Sequence, residues 1–111
     1  MKFPIIVNDH GDVSTYDSEE AIQLDLEAVD VKNNQFDVYG ADGQLLALKV
    51  ITKWFGSELA RVVEPERVII KRDELRDVLE NYLVNCECVS FEQLSKLDDA
   101  ELLKKVRRWS D

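Results

Sequence analysis

The sequence predicts a single α+β domain over residues 1–111, an antiparallel sheet built from two hairpins and packed against amphipathic helices. Three observations predict it. A chain of 111 residues that is 45% hydrophobic and 33% charged, with only 4 Gly and 2 Pro, has material for one core and lacks the composition of a disordered or low-complexity segment. The first half alternates β-branched and apolar residues between Asn, Asp and Gly clusters, as hairpins do. The second half turns to helical spacing behind capping residues.

Taken in order, Phe3 to Val7 is apolar and β-branched, Asn8-Asp9-His10-Gly11-Asp12 is a turn cluster, and Val13 to Tyr16 alternates, which makes the first hairpin. Asp17-Ser18-Glu19-Glu20 then offers an N-cap with acids where the helix dipole favours them, Asp17 placing a carboxylate at N3 if it is the cap. Ile22, Leu24 and Leu26 alternate like a strand, while Ile22, Leu26 and Val29 fit a helical stripe; the cap favours a helix to about Glu27. Asn33-Asn34 is a turn signal. Phe36 to Tyr39, the turn Ala41-Asp42-Gly43 and the β-rich run Gln44 to Thr52 make the second hairpin.

Trp54-Phe55-Gly56 breaks the pattern, Leu59 to Val63 suits a short helix or another strand, and Val68 to Ile70 reads as extended. Asp73 can cap a helix in which Leu75, Val78, Leu79, Tyr82 and Leu83 share one face. Ser90-Phe91-Glu92-Gln93 has capping-box spacing for a short helix through Leu97, and Asp98 opens a terminal helix with Leu102, Leu103, Val106 and Trp109 on its apolar face. Its Lys104, Lys105, Arg107 and Arg108 complement the negative end of that helix dipole and are not read as a nucleic-acid patch.

Charge narrows the partners. The chain carries 14 basic and 23 acidic residues, a net charge of -9, which argues against direct contact with nucleic acid or anionic lipid. Residues 1–50 hold three lysines against ten acids, a net of -7, and residues 51–111 hold the remaining -2. Acidity aids solubility in many small domains. Its concentration in one half points further, to a cationic partner.

No apolar run approaches the roughly 18 residues of a membrane span, and Met1 to Val7 runs straight into Asn8, Asp9 and His10 without the form of a secretory leader, so a cytoplasmic protein is expected. Cys86 and Cys88, one residue apart, are poorly spaced to bridge each other and too few for a zinc site; they are expected as small, partly buried thiols in a reducing compartment. His10 is the one histidine, which removes most triads and imidazole metal sites, and no Gly-rich phosphate loop, nucleophile elbow or HExxH spacing occurs. Asp9-His10-Gly11-Asp12 lacks the longer acidic series of a calcium loop. No cofactor, metal or catalytic residue is therefore assigned. Carboxylate chemistry at Asp9 and Asp12, or at Glu19 and Glu20, is the enzymatic alternative.

Tyr16-Asp17-Ser18-Glu19-Glu20-Ala21, Leu26-Glu27 through Asp30-Val31, Phe36-Asp37-Val38-Tyr39 and Asp42-Gly43-Gln44-Leu45-Leu46, with the helix from Asp73-Glu74-Leu75 to Tyr82-Leu83, carry a resemblance. In these stretches the chain resembles small bacterial immunity proteins of contact-dependent growth-inhibition and polymorphic toxin systems. The resemblance implies a cytoplasmic, non-enzymatic antitoxin that binds the C-terminal domain of one cognate toxin, often a nuclease, and blocks its active site or a required surface. Such proteins share no site motif, so it transfers no binding residue.

The candidate interface follows from charge instead: Asp9, Asp12, Asp17, Glu19, Glu20, Asp37 and Asp42, expected to reach solvent together, with Tyr39 or Trp54 as an apolar anchor. Trp54 stands beside Phe55, so one of the two should face outward unless both tuck under the following loop; Phe3, Tyr39, Tyr82 and Phe91, on regular elements, are otherwise expected in the core. The rival interface is apolar and lies around Trp109. The rival function is an acidic adaptor or the subunit of a homo-oligomer.

Overall fold

Ile5–Asp9 (β1) and Asp12–Tyr16 (β2) pair antiparallel in the register Ile5↔Tyr16 to Asp9↔Asp12. The two residues between them, His10 and Gly11, have φ of 53° and 101°, the all-positive pattern of a tight hairpin turn whose twist matches the strands. Asn8 steadies the turn by accepting a hydrogen bond from the Gly11 amide at 2.8 Å. The computed structural model describes residues 1–26, 36–52, 56–87 and 89–110, without the side chains of 87 and 108–110. Trp54, Phe55, Cys88, the Asn33-Asn34 turn and the side chain of Trp109 lie outside the described residues.

Helix α1, Glu19–Asp25, is capped by Ser18, whose hydroxyl accepts from the Ala21 amide at 3.1 Å. Asp17 does not take that role because its carboxylate accepts from Arg107 at 2.6 Å. The ambiguous alternation of Ile22 and Leu24 resolves as helical: Ile22 is buried and Leu24 is 90% exposed. Asp37–Tyr39 (β3) then pairs with β1 on one side and with Leu45–Thr52 (β4) on the other.

Between β3 and β4 the chain turns through Gly40–Gln44, and Gly43 sits at φ 88° with a Cβ position only 3.0 Å from the Arg72 backbone. Any side chain there meets both a disfavoured conformation and a close neighbour. Gly43→Ala is accordingly expected to lower stability by about 1 to 3 kcal/mol, measured as a lower midpoint in urea at unchanged slope.

Leu59 to Val63 is a strand. Glu58–Val63 (β5) pairs with β4 from Ala47↔Val63 to Thr52↔Glu58, so the sheet has five strands in the order β2-β1-β3-β4-β5 and a third hairpin beyond the two expected. Ile70, in the extended segment read from the sequence, bridges Gln44 and covers the rest of the β4 edge. Arg72–Glu87 (α2), Phe91–Ser95 (α3) and Asp99–Ser110 (α4) follow. Helix α3 has the expected capping box between Ser90 and Gln93, and Asp98 accepts from the Glu101 amide at 2.8 Å to cap α4.

The sheet is covered on both faces, which explains the unbroken apolar run at its centre. Ile6, Val13 and Tyr39 face Leu75, Leu79 and Leu83 of α2 and Leu102 and Val106 of α4. Ile5, Val7, Tyr16, Val38, Leu46 and Val62 face Ile22 of α1. Arg76 clamps the helical layer: its guanidinium reaches Glu80 and Asp99 at 2.8 Å each and the carbonyls of Leu94 and Leu97 at 3.1 and 2.6 Å. Asp99, more than Glu80, raises the affinity of that guanidinium for its proton against partial burial.

Three expectations about burial do not hold. Phe3 and Phe91 are 44% and 50% exposed and not in the core, and the Cys86 thiol, expected to be partly buried, is exposed. Phe3 precedes the first strand, and Phe91 opens a short helix that buries Leu94 instead. No helix among the described residues is long and apolar enough to cross a membrane.

Candidate functional site

The hairpin register fixes which acids can act together. Asp9 and Asp12 are cross-strand partners beside the β1–β2 turn, and Asn8↔Asp37 in the β1–β3 ladder brings Asp37 to the same end of the sheet. A carboxylate the charge argument did not single out joins them. Asp25, the last residue of α1, accepts a hydrogen bond from the Tyr16 hydroxyl at 2.5 Å. Burial first, and then the Asp25 carboxylate, push the Tyr16 phenol well above its ordinary pKa, so it stays a donor and holds Asp25 in place.

Asp9, Asp12 and Asp25 line one open cleft of about 310 Å³ whose remaining walls include Val7, Tyr16, Leu26 and Phe36. Among the described residues these acids and Asp37 carry no ion pair to a lysine or arginine; the imidazole of His10 lies 3.9 Å from Asp9 and is itself largely exposed. Carboxylates left without cations beside an apolar wall suit the side chain of a partner's Lys or Arg, stem on the wall and head on the acids. Leu24, the residue before Asp25 in α1, is an apolar side chain left 90% exposed.

The other candidates lie elsewhere. Asp17, Glu19 and Glu20 follow the opposite end of β2, where Asp17 meets Arg107 and Glu19 faces Arg61 Nε at 3.3 Å without hydrogen-bond alignment. Asp42 belongs to the β3–β4 turn and accepts from the Gln44 amide at 3.1 Å. The seven acids therefore do not form one face, and two of them already have cations of their own.

Tyr39 is not an accessible anchor: it is 0% exposed, because β3 lies between β1 and β4 with helices above. Its hydroxyl donates to Glu74 at 2.6 Å, and burial, then that carboxylate, raise its pKa strongly. Trp54 lies outside the described residues. Among those described, no group of three or more His, Cys, Asp or Glu side chains is arranged to hold a metal ion.

Asp25 and its apolar neighbours had a weak signal in the sequence. Leu24-Asp25-Leu26 ends a capped helix, but only the fold carries that end back to the first hairpin. Comparison with known proteins adds nothing to this geometry: no family model, curated protein or solved structure matches the chain.

Proposed function

We propose that this chain is a stoichiometric inhibitor of the immunity-protein type, which binds a cationic toxin domain through the acidic end of its sheet. One observation carries the reading: Asp9, Asp12 and Asp25 converge on a single open cleft with apolar walls and without a lysine or arginine of the described residues to neutralise them. A domain that cleaves nucleic acid needs a cationic surface to hold phosphates, and an acidic end that docks there competes with substrate for the same charges. The carboxylates accelerate encounter, and the apolar wall with Leu24 supplies contact area that slows release.

The test is association with a defined partner. An immunity gene lies directly beside that of a large toxin with a variable C-terminal domain. That domain, co-expressed with this chain, is expected to co-purify as a complex and to lose its toxicity. A neighbouring metabolic operon, and a complex with one of its products, would favour the adaptor reading. The enzymatic alternative has its own readout: turnover of phosphoester, peptide or glycoside reporters abolished by Asp9→Asn or Asp12→Asn would sink the inhibitor reading.

A further inference from the structure

At the end of the sheet opposite the acidic cleft, a second pocket of about 240 Å³ opens between the β3–β4 turn, α2 and α4. Its floor is apolar, formed by Leu75 and Leu79 of α2 and Leu103 of α4. Two acids border it, and both are engaged within the protein. Asp42 accepts from the Gln44 amide at 3.1 Å, and Asp99 is held by Arg76 at 2.8 Å.

The two remaining cations are not so engaged. Lys2 is fixed beside the turn through its backbone, whose carbonyl accepts from the Ala41 amide at 2.9 Å, and its ammonium has no carboxylate partner among the described residues. Among the described residues Arg72 makes one long contact, 3.4 Å from its Nε to the Asp42 carbonyl, and no ion pair, and the Gly43 turn packs directly on its backbone. With Lys2, Arg72 and Arg76 against Asp42 and Asp99, the rim of this pocket carries a net charge of +1 above its apolar floor, in a chain of net charge -9.

We propose that this pocket binds a carboxylate carrying a short apolar tail, the tail on Leu75, Leu79 and Leu103 and the carboxylate between Lys2 and Arg72. The pairing uses both halves of the site: charge alone would take any anion, and the floor alone any small hydrocarbon. The same chemistry is offered by a free short-chain acid and by the C-terminal residue of a peptide ending in an aliphatic side chain. The site is independent of the acidic cleft, so its failure leaves the inhibitor reading where it stands.

Hexanoate and N-acetyl-leucine, titrated separately into the ¹⁵N-labelled full chain, test the proposal, with hexylammonium, N-acetyl-leucinamide and inorganic phosphate as controls. Saturable shifts at the amides of Gly43, Arg72, Leu75 and Leu103 are expected with a carboxylate probe and not with the three controls. Tighter binding of hexanoate assigns the site to free acids, and tighter binding of N-acetyl-leucine assigns it to peptide termini. The double replacement Lys2→Met and Arg72→Met keeps the aliphatic stems and is expected to weaken binding about fivefold or more. Should the double variant melt early, Lys2→Met alone, at an exposed position, gives the same reading. No saturable shift with either carboxylate, an equal response to hexylammonium or phosphate, or unchanged affinity in a folded variant would overturn the assignment.

Discussion

Leu79→Ala is expected to lower the unfolding free energy by about 2 to 5 kcal/mol, a large share of the roughly 5 to 15 kcal/mol that holds a domain of this size folded. Leu79 is 2% exposed in the middle of α2, against Tyr39 of the central strand and the buried face of α4. The loss combines the transfer of its side chain back to water with the contacts its neighbours forfeit around the vacated space. Leu79 also floors the 240 Å³ pocket, so water can reach part of that space and the cost falls in the lower half of the range. The control is Leu24→Ala, which removes the same atoms from a 90% exposed position and is expected to cost less than about 0.5 kcal/mol. Urea melts of both variants decide it: a shift below about 1 kcal/mol for Leu79→Ala would mean that α2 does not cover the sheet as described.

Most of this architecture is legible in the sequence because local signals and burial agree. The Asn8 to Asp12 cluster makes a tight turn, the Leu75 to Leu83 stripe faces the core, and Ser90 with Gln93 forms the reciprocal cap its spacing implies. Agreement fails where a partner decides the outcome. Leu59-Ala60-Arg61 contains good helix formers, and it is the ladder to β4, with Val62 in the core, that makes the segment a strand. Ser18 displaces Asp17 as cap because Arg107, ninety residues away, claims the Asp17 carboxylate.

The site was less legible than the fold, for a reason the first hairpin illustrates. A net charge of -7 over residues 1–50 is a density along the chain, and the strands redistribute it. Four steps of β2 separate Asp12 from Tyr16, about 13 Å at the usual strand rise, so Asp17 and the α1 acids start from the far end of the sheet. Strand order matters as much. Tyr39 would be a plausible surface residue on an edge strand, but β3 is central, and the order β2-β1-β3-β4-β5 follows from pairings that no short stretch of sequence encodes.

This separation of the acids yields the second large effect. Neutralising the cleft end with Asp9→Asn, Asp12→Asn, Asp25→Asn and Asp37→Asn is expected to slow association with the cationic toxin domain by about tenfold or more at low ionic strength, and to flatten its salt dependence. Asparagine keeps the acceptor for the Tyr16 hydroxyl, so the change is in charge more than in fold. A comparison set at the other end, Asp17→Asn with Glu19→Gln and Glu20→Gln, removes three charges where the cleft set removes four, and removes them from the end of the sheet farther from the proposed contact, where their Coulomb energy with the docking cation is weaker. It is expected to alter the association rate far less. Leu24→Ala, at the exposed apolar residue that precedes Asp25 in α1, changes no charge and should act on dissociation instead, because an apolar contact forms after encounter and is lost on release. Stopped-flow association at several salt concentrations, with dissociation measured by chase, separates the three variants. Equal slowing by the two acid sets would mean that net charge alone steers the encounter and that the cleft has no special part in it. Unchanged association in the cleft variant, together with loss of binding in Trp109→Ala, would move the interface to the C-terminal helix, where the apolar alternative places it.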